Sequence, residues 1–367
     1  MTITQSDPAA DARRDALVGR LFEATLGAFD LLAVYLGDQL GLYRALADHG
    51  PLSASQLATA AGIDPRYARE WLEHQAVAAL LEVDDASTAP DDRRYTLPAG
   101  YEAVLVDPAS TSTMAPMAQW VVAGGRSMPD LLDAYRTGGG VPWDRYEDVV
   151  VAQERTNRPQ FIHSLAQAWL PALPDIDTRL REHGGRIADV ACGTGWSTIA
   201  LARAYPKATV DGLDLDLGSI ETANDRLVTD AADVADRVTF QARDAGDPGR
   251  AGQYDFALIV EAVHDMAHPV PALRGVRGLL APGGALLIAD EKVAEAFGAP
   301  GDEIERMMYG YSILFCLPNS LAEAGSVGTG TVLRPDRMRE LAAEAGFSTV
   351  SIVPIEHDTF RFYRLDP

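Results

Sequence analysis

From Arg186 to Asp290 the chain alternates short, continuous apolar runs with segments of helical spacing, and this alternation limits the fold more than any other feature. The apolar runs are residues 187–191, 209–213, 238–241, 256–260 and 285–290. Between them, 197–204, 217–227 and 270–280 read as helices. A strand that is apolar on both faces needs cover on both faces, which requires a parallel sheet with helices on each side. A helix over 335–345 then precedes two runs, 349–355 and 360–365, that read as a terminal antiparallel hairpin.

The first apolar run ends in Asp189-Val-Ala191-Cys192-Gly193-Thr-Gly195, and nineteen residues beyond Gly195 the second ends in Asp214. Glycines after a first strand let backbone approach a ligand, and an acid at the next strand tip accepts ribose hydroxyls, so the layout is that of a nucleoside cradle. A dinucleotide fingerprint needs a third glycine three residues after the second, and Thr198 stands there instead. An acid lies inside the first strand, four residues before Gly193.

These residues resemble the first motif of the class I S-adenosylmethionine-dependent methyltransferases, acid-x-Gly-x-Gly-x-Gly, with Ala191 at the first glycine. Gly212-Leu213-Asp214-Leu215-Asp216 resembles the second motif, residues 238–245 with Asp244 and Ala245 the third, and Leu280-Ala-Pro282-Gly283-Gly284 the turn into the fifth strand. The resemblance implies an α/β, Rossmann-like seven-stranded methyltransferase domain, its mostly parallel sheet closing in an antiparallel hairpin. It also implies S-adenosylmethionine as cofactor and S-adenosylhomocysteine as product. Asp189, Ala191, Cys192, Gly193, Gly195, Asp214, Leu215, Asp244, Ala245 and Glu261 are the expected cofactor residues.

The fourth strand runs into Glu261-Ala-Val-His264-Asp265-Met-Ala-His268-Pro269, at the carboxyl end where an open parallel sheet binds ligands. Histidine titrates near neutrality and removes protons from hydroxyls. The His264-Asp265 pair resembles that of small-molecule O-methyltransferases, in which the histidine is the base, and Asp290 or Glu291 is placed to orient it. His264 and His268 superficially resemble a zinc helix, but Pro269 biases His268 away from helical geometry. No metal is expected there, because in-line positioning supplies much of the rate of methyl transfer. An apolar stripe at 304–315, including Met307, Met308, Tyr311 and Phe315, reads either as core or dimer contact or as a lid over an apolar or aromatic acceptor.

The first third reads as helical, with an apolar face over 30–46, helices at 54–61 and 65–81, and a short hairpin at 81–83 and 95–97, the outline of a winged helix. Its recognition helix sets Arg66 and Arg69 against Asp64, Glu70 and Glu73, which is not a basic footprint. With 53 acids against 31 bases the net charge is −22, so a nucleic-acid partner is not expected. The resemblance extends to bacterial methyltransferases, some labelled as transcriptional regulators, whose winged-helix domain dimerises and closes over substrate. The expected organisation is a winged-helix dimerisation domain at 1–110, a helical connector at 111–175 and a cofactor domain at 176–367. A homodimer acting on a small molecule in the cytoplasm is expected, with no membrane span or secretory leader and no disulfide framework from two cysteines. Two alternatives stay open: a winged-helix regulator that senses the cofactor or a metabolite, and a methyltransferase fold repurposed for other chemistry.

Overall fold

The computed structural model describes residues 7–244 and 251–367. The chain divides into two compact units, Met1–Gly125 and Arg126–Pro367.

In the first unit, α1 (Pro8–Gln39) and α2 (Leu42–His49) are followed by α3 (Ala54–Ala61) and α4 (Pro65–Val77). The apolar face expected as one helix over 30–46 is split, because Gly41 takes a left-handed φ of +67° between α1 and α2. Ser53 and Gln56 form a reciprocal capping box that starts α3, and Asp64 caps α4 with Pro65 at its first turn. Strands β1 (Glu82–Val83) and β2 (Tyr95–Thr96) form the short antiparallel wing, after which comes α5 (Glu102–Leu105). The Tyr43 and Trp71 rings meet edge-on at 5.1 Å in this unit's core, over Gly37, where a Cβ would lie 2.5 Å from both.

The long helix α6 (Ala115–Thr137) holds the boundary between the units within it. The second unit continues with α7 (Glu147–His163), a π turn at Leu165–Trp169 and α8 (Pro174–His183). Then β3 (Gly185–Val190), α9 (Trp196–Ala204), β4 (Ala208–Asp214), α10 (Leu217–Thr229), β5 (Val238–Ala242), β6 (Tyr254–Val260), α11 (Pro269–Leu279) and β7 (Leu280–Glu291) alternate. The chain goes on through α12 (Glu303–Tyr311), a π turn at Ser312–Cys316, α13 (Leu317–Ser320), α14 (Pro335–Ala345), β8 (Thr349–Val353) and β9 (Phe360–Asp366).

The seven strands lie in the order β5-β4-β3-β6-β7-β9-β8, with β9 antiparallel to both neighbours and the others parallel. Successive strand residues serve opposite cores. Ile187, Phe256, Leu258 and Leu287 pack with Leu180 of α8, Ile199 of α9 and Ile220 of α10. Ala188, Val190, Ala257, Ile259, Leu286 and Ile288 pack with Leu273 of α11 and Leu341 of α14. This two-sided burial is why the strands read as unbroken apolar runs. Strand order reverses between β3 and β6, which opens a crevice at their carboxyl ends. His357 starts the turn into β9, its Nδ1 accepting from the Phe360 amide at 3.0 Å while its ring stacks on Phe360 at 4.4 Å.

Candidate active site

Asp189, next to last in β3, is buried. Its Oδ2 accepts hydrogen bonds from the Ser197 and Thr198 hydroxyls of α9, both at 2.6 Å. Burial pushes its pKa up to about 6 against the pull of those two donors. The acid therefore fastens the strand to the helix on the far side of the glycine turn. Ala191 adopts φ +58° and Gly193 φ +51°; for alanine the left-handed conformation costs about 1–2 kcal/mol. Gly195, at φ +88°, could not be replaced without collision, since a Cβ would lie 2.6 Å from the Phe240 ring. At Gly193, by contrast, a Cβ would meet nothing within 4 Å, so the turn presents bare backbone to open space.

Asp214, the last residue of β4, borders that space. Its Oδ2 accepts from the Gly193 amide at 2.8 Å and its Oδ1 from the Asp216 amide at 2.9 Å. Burial raises its pKa and these amides oppose the rise. Each carboxylate oxygen keeps a second acceptor position. Cys192 is buried, and its amide donates to Leu213 O at 3.2 Å, which ties the turn to β4. Leu215 is 71% exposed beyond the acid, an apolar surface next to the same space. Asp244 is exposed after β5, and Ala245 lies outside the described residues.

A network with no sequence motif braces this turn. The guanidiniums of Arg158 and Arg226 lie over the Trp196 ring, 4.1 and 4.6 Å from its centre. Glu154 Oε1 accepts from Trp196 Nε1 at 2.9 Å and from Arg226 at 2.7 Å, and Arg226 also donates to the Thr194 carbonyl. Hydrogen bonds to charged groups are worth about 1.5–3 kcal/mol each. Arg226→Ala is therefore expected to loosen the turn and weaken cofactor binding roughly tenfold, with secondary structure intact by circular dichroism. Affinity within twofold of wild type would show that the brace does not position the turn.

At the reacting end, Asp290 is the strand-tip acid that meets His264, with its Oδ1 2.8 Å from Nδ1, while Glu291 donates its amide to the same oxygen at 3.0 Å. His264 is buried, and burial lowers its pKa. The charges of Asp290 and Asp265, with hydrogen bonds to Asp290 and Cys316, outweigh that and leave it well above the usual histidine value. Asp265 stands beside the ring, its Oδ1 3.5 Å from Nε2. His268 is not on a helix with His264: it precedes α11 at φ −128° and faces Glu323 at 3.2 Å.

Glu261 adopts φ +48° as the chain leaves β6, which turns its carboxylate to α7. There Oε2 accepts from Gln153 at 2.8 Å and from Asn157. Burial pushes its pKa up to about 7. Burial, then Glu261, raises Glu291 as well, so the two carboxyls favour a shared proton. Tyr311 of α12 feels both acids, and its phenol is pushed upward chiefly by burial. Met308 and Phe315 are buried, with Phe315 against Tyr146 at 5.8 Å and Tyr311 at 6.3 Å, and Met307 is half-buried. Gln153, Asn157 and Cys316 escaped the sequence reading because only the fold brings them to β6.

Comparison with known proteins agrees with this architecture. Residues 188–286 match the family described as "Methyltransferase domain", and residues 28–107 match an "Rv2258c-like winged HTH domain". The chain carries a methyltransferase domain behind a winged-helix domain. It is 29% identical over 166 residues to the ubiquinone/menaquinone biosynthesis C-methyltransferase UbiE of Syntrophotalea carbinolica, covering 44% of this chain and 65% of that protein. It is 28% identical over 198 residues to the O-methyltransferase pgmB of Aspergillus terreus, covering 52% of this chain and 42% of that one. The chain thus spans less than two thirds of either relative. Human N-acetylserotonin methyltransferase, solved in complex with SAM, shares the fold with a TM-score of 0.66 at 18% identity, over 100% of this chain and 99% of that one.

Proposed function

We propose that this chain transfers a methyl group from S-adenosylmethionine to a hydroxyl of a small apolar or aromatic molecule, with His264 as the base and S-adenosylhomocysteine as the second product. The observation that carries this reading is the His264–Asp290 couple at the carboxyl end of β6, next to the crevice of a methyltransferase domain. The cradle fits the cofactor: Gly193 faces open space, and Asp214 keeps acceptor positions for ribose hydroxyls. Asp189 and Gly195 fix the turn, and Leu215 offers an apolar face to adenine. When bound, the cofactor supplies a methyl group activated by its sulfonium. His264 Nε2 takes the acceptor's proton, and Asp290 holds the ring through Nδ1 and stabilises the imidazolium. Met307, Met308, Tyr311 and Phe315 favour an apolar acceptor.

Screening hydroxylated aromatic compounds for acceptor-dependent release of S-adenosylhomocysteine tests this. Cofactor binding without release from any acceptor would favour non-methylating chemistry on the same fold.

The first unit supports a dimer rather than a nucleic-acid reader. Three arginines of α4 and the wing are paired with acids: Arg66 with Glu70, Arg69 with Asp91 at 3.4 Å, and Arg93 with Glu73 at 3.0 Å. Meanwhile α1 exposes Leu17, Leu21, Phe22 and Phe29, each 48–61% accessible, which is costly surface for a lone protomer. Light scattering at micromolar concentration is expected to give twice the chain mass, and Phe22→Asp to shift it toward the monomer. A monomeric wild type would refute the dimer. No described helix is long and apolar enough to cross a membrane, and Cys192 and Cys316 are both free thiols, which suits a reducing cytoplasm.

A further inference from the structure

Cys316 lies 52 residues beyond His264, yet the fold brings them together. Cys316 ends the π turn Ser312–Cys316, an irregular turn of the kind that re-aims a side chain. Its sulfur lies within 4.8 Å of a ring nitrogen of His264. One ligand atom each from His264, Asp265 and Cys316 lies within 4.8 Å of the others. We propose that these three side chains form a binding site for a divalent transition metal of the zinc class.

The donor set is nitrogen, oxygen and sulfur, which suits zinc and not the all-oxygen preference of magnesium or calcium. Zinc sits about 2.0–2.3 Å from such ligands, so tetrahedral ligands lie roughly 3.3–3.8 Å apart. The His264–Asp265 separation of 3.5 Å already meets this, and the widest pair must close by about 1 Å. The outer partner is also present. Asp290 holds Nδ1 at 2.8 Å, which leaves the Nε2 lone pair for the cation, the carboxylate–histidine–metal arrangement that fixes ring orientation.

A second observation points into the same spot. Asp265 Oδ1 is shut off from solvent and makes no hydrogen bond among the described residues. The His264 ring stands 3.5 Å from this oxygen without a hydrogen bond to it, and a cation bound between the two would satisfy the carboxylate directly. Asp290 Oδ2 is likewise shielded and undonated. Binding would release two protons to solvent, one from the Cys316 thiol as the sulfur–metal bond forms and one from the His264 imidazolium as Nε2 ligates, and would leave a fourth coordination position open.

Where His264 serves as the base proposed above, the metal takes the lone pair that proton removal requires. Metal binding and turnover then exclude each other, and zinc acts as a reversible inhibitor.

The test is cobalt titration of the chelator-treated full chain, read by absorption without any turnover, so it stands whether or not the methyl-transfer reading survives. The expected result is a thiolate-to-cobalt charge-transfer band with tetrahedral d–d bands, displaced by zinc. Cys316→Ser should abolish the charge-transfer band, Cys192→Ser should keep it, and Asp265→Asn should weaken cobalt affinity at least tenfold. Melting curves and circular dichroism identify any variant that fails to fold, and Asp265→Asn gives an independent reading if Cys316→Ser does. Absence of the band in folded wild type at mid-micromolar cobalt, or its persistence in Cys316→Ser, would overturn the site.

Discussion

His264→Ala is expected to lower kcat by roughly 10²–10⁴, the usual worth of a positioned general base, with KM for the cofactor little changed. The effect falls on kcat because the ring handles a proton that moves only in the transition state. Because removing a buried ring leaves Asp290 without its partner, His264→Gln serves as a second variant that preserves volume. The pH dependence gives an independent signature. A base must be neutral to act, and the charges of Asp290 and Asp265 keep the proton on the ring above the usual histidine value of about 6.5. The neutral fraction therefore grows as pH rises, so kcat/KM should climb and level off on the alkaline side of that value. Asp290→Asn should move the inflection to lower pH, since it removes charge that favours the imidazolium. Glu261, pushed up to about 7, titrates in the same window and feels the His264 charge, so Glu261→Gln should also move the inflection to lower pH, but by less than Asp290→Asn. An unchanged rate in His264→Ala, or a flat profile from about pH 6 to 9, would eliminate this base.

Asp214→Ala is expected to weaken binding of S-adenosylhomocysteine by roughly 10²–10⁴. Two hydroxyl hydrogen bonds to a carboxylate are worth about 3–6 kcal/mol together. The same substitution frees the Gly193 amide and the Asp216 amide, which now donate to this side chain at 2.8 and 2.9 Å. Part of the loss is therefore loss of a preformed turn. Asp214→Asn, which keeps one acceptor oxygen, should fall between. Calorimetric affinity within threefold of wild type for Asp214→Ala would remove the ribose role from this residue.

How much of this was legible in the sequence depended on whether the cause was local. The strand core was legible because burial on both faces writes itself as uninterrupted Val, Ile, Leu and Ala, as in Phe256–Ala-Leu-Ile-Val260. Helix starts with a cap, such as Ser53 and Asp64, were legible for the same reason. Residues 111–175 read as a helical connector, but the bounds of the 23-residue helix α6 within it were not legible. Gly124, Gly125 and Pro129 interrupt its pattern, and tertiary packing overrides their low propensity. Likewise α1 starts at Pro8 and not near residue 30, because its exposed Leu17, Leu21 and Phe22 blur the amphipathic signal that would have marked its first turns.

At the site, spacing pointed to the turn from Asp189 to Gly195 and the acid at 214, while the His264–Asp265 pair stood out through the family resemblance. It could also limit the orienting acid to Asp290 or Glu291, but only the register of β7 beside β6 decides that Asp290 meets the ring. Cys316 and the Arg158–Trp196–Arg226 brace lie far from the motifs in sequence and follow no periodicity, so only tertiary structure brings them in.

Titration calorimetry of the wild-type chain with S-adenosylmethionine is the decisive measurement. Saturable binding at one site per chain in the micromolar range, lost in Asp214→Ala, is the expected outcome. No heat of binding at high micromolar ligand from folded protein, or equal affinity in the variant, would mean that the turn after β3 and the acid at the end of β4 do not hold this cofactor.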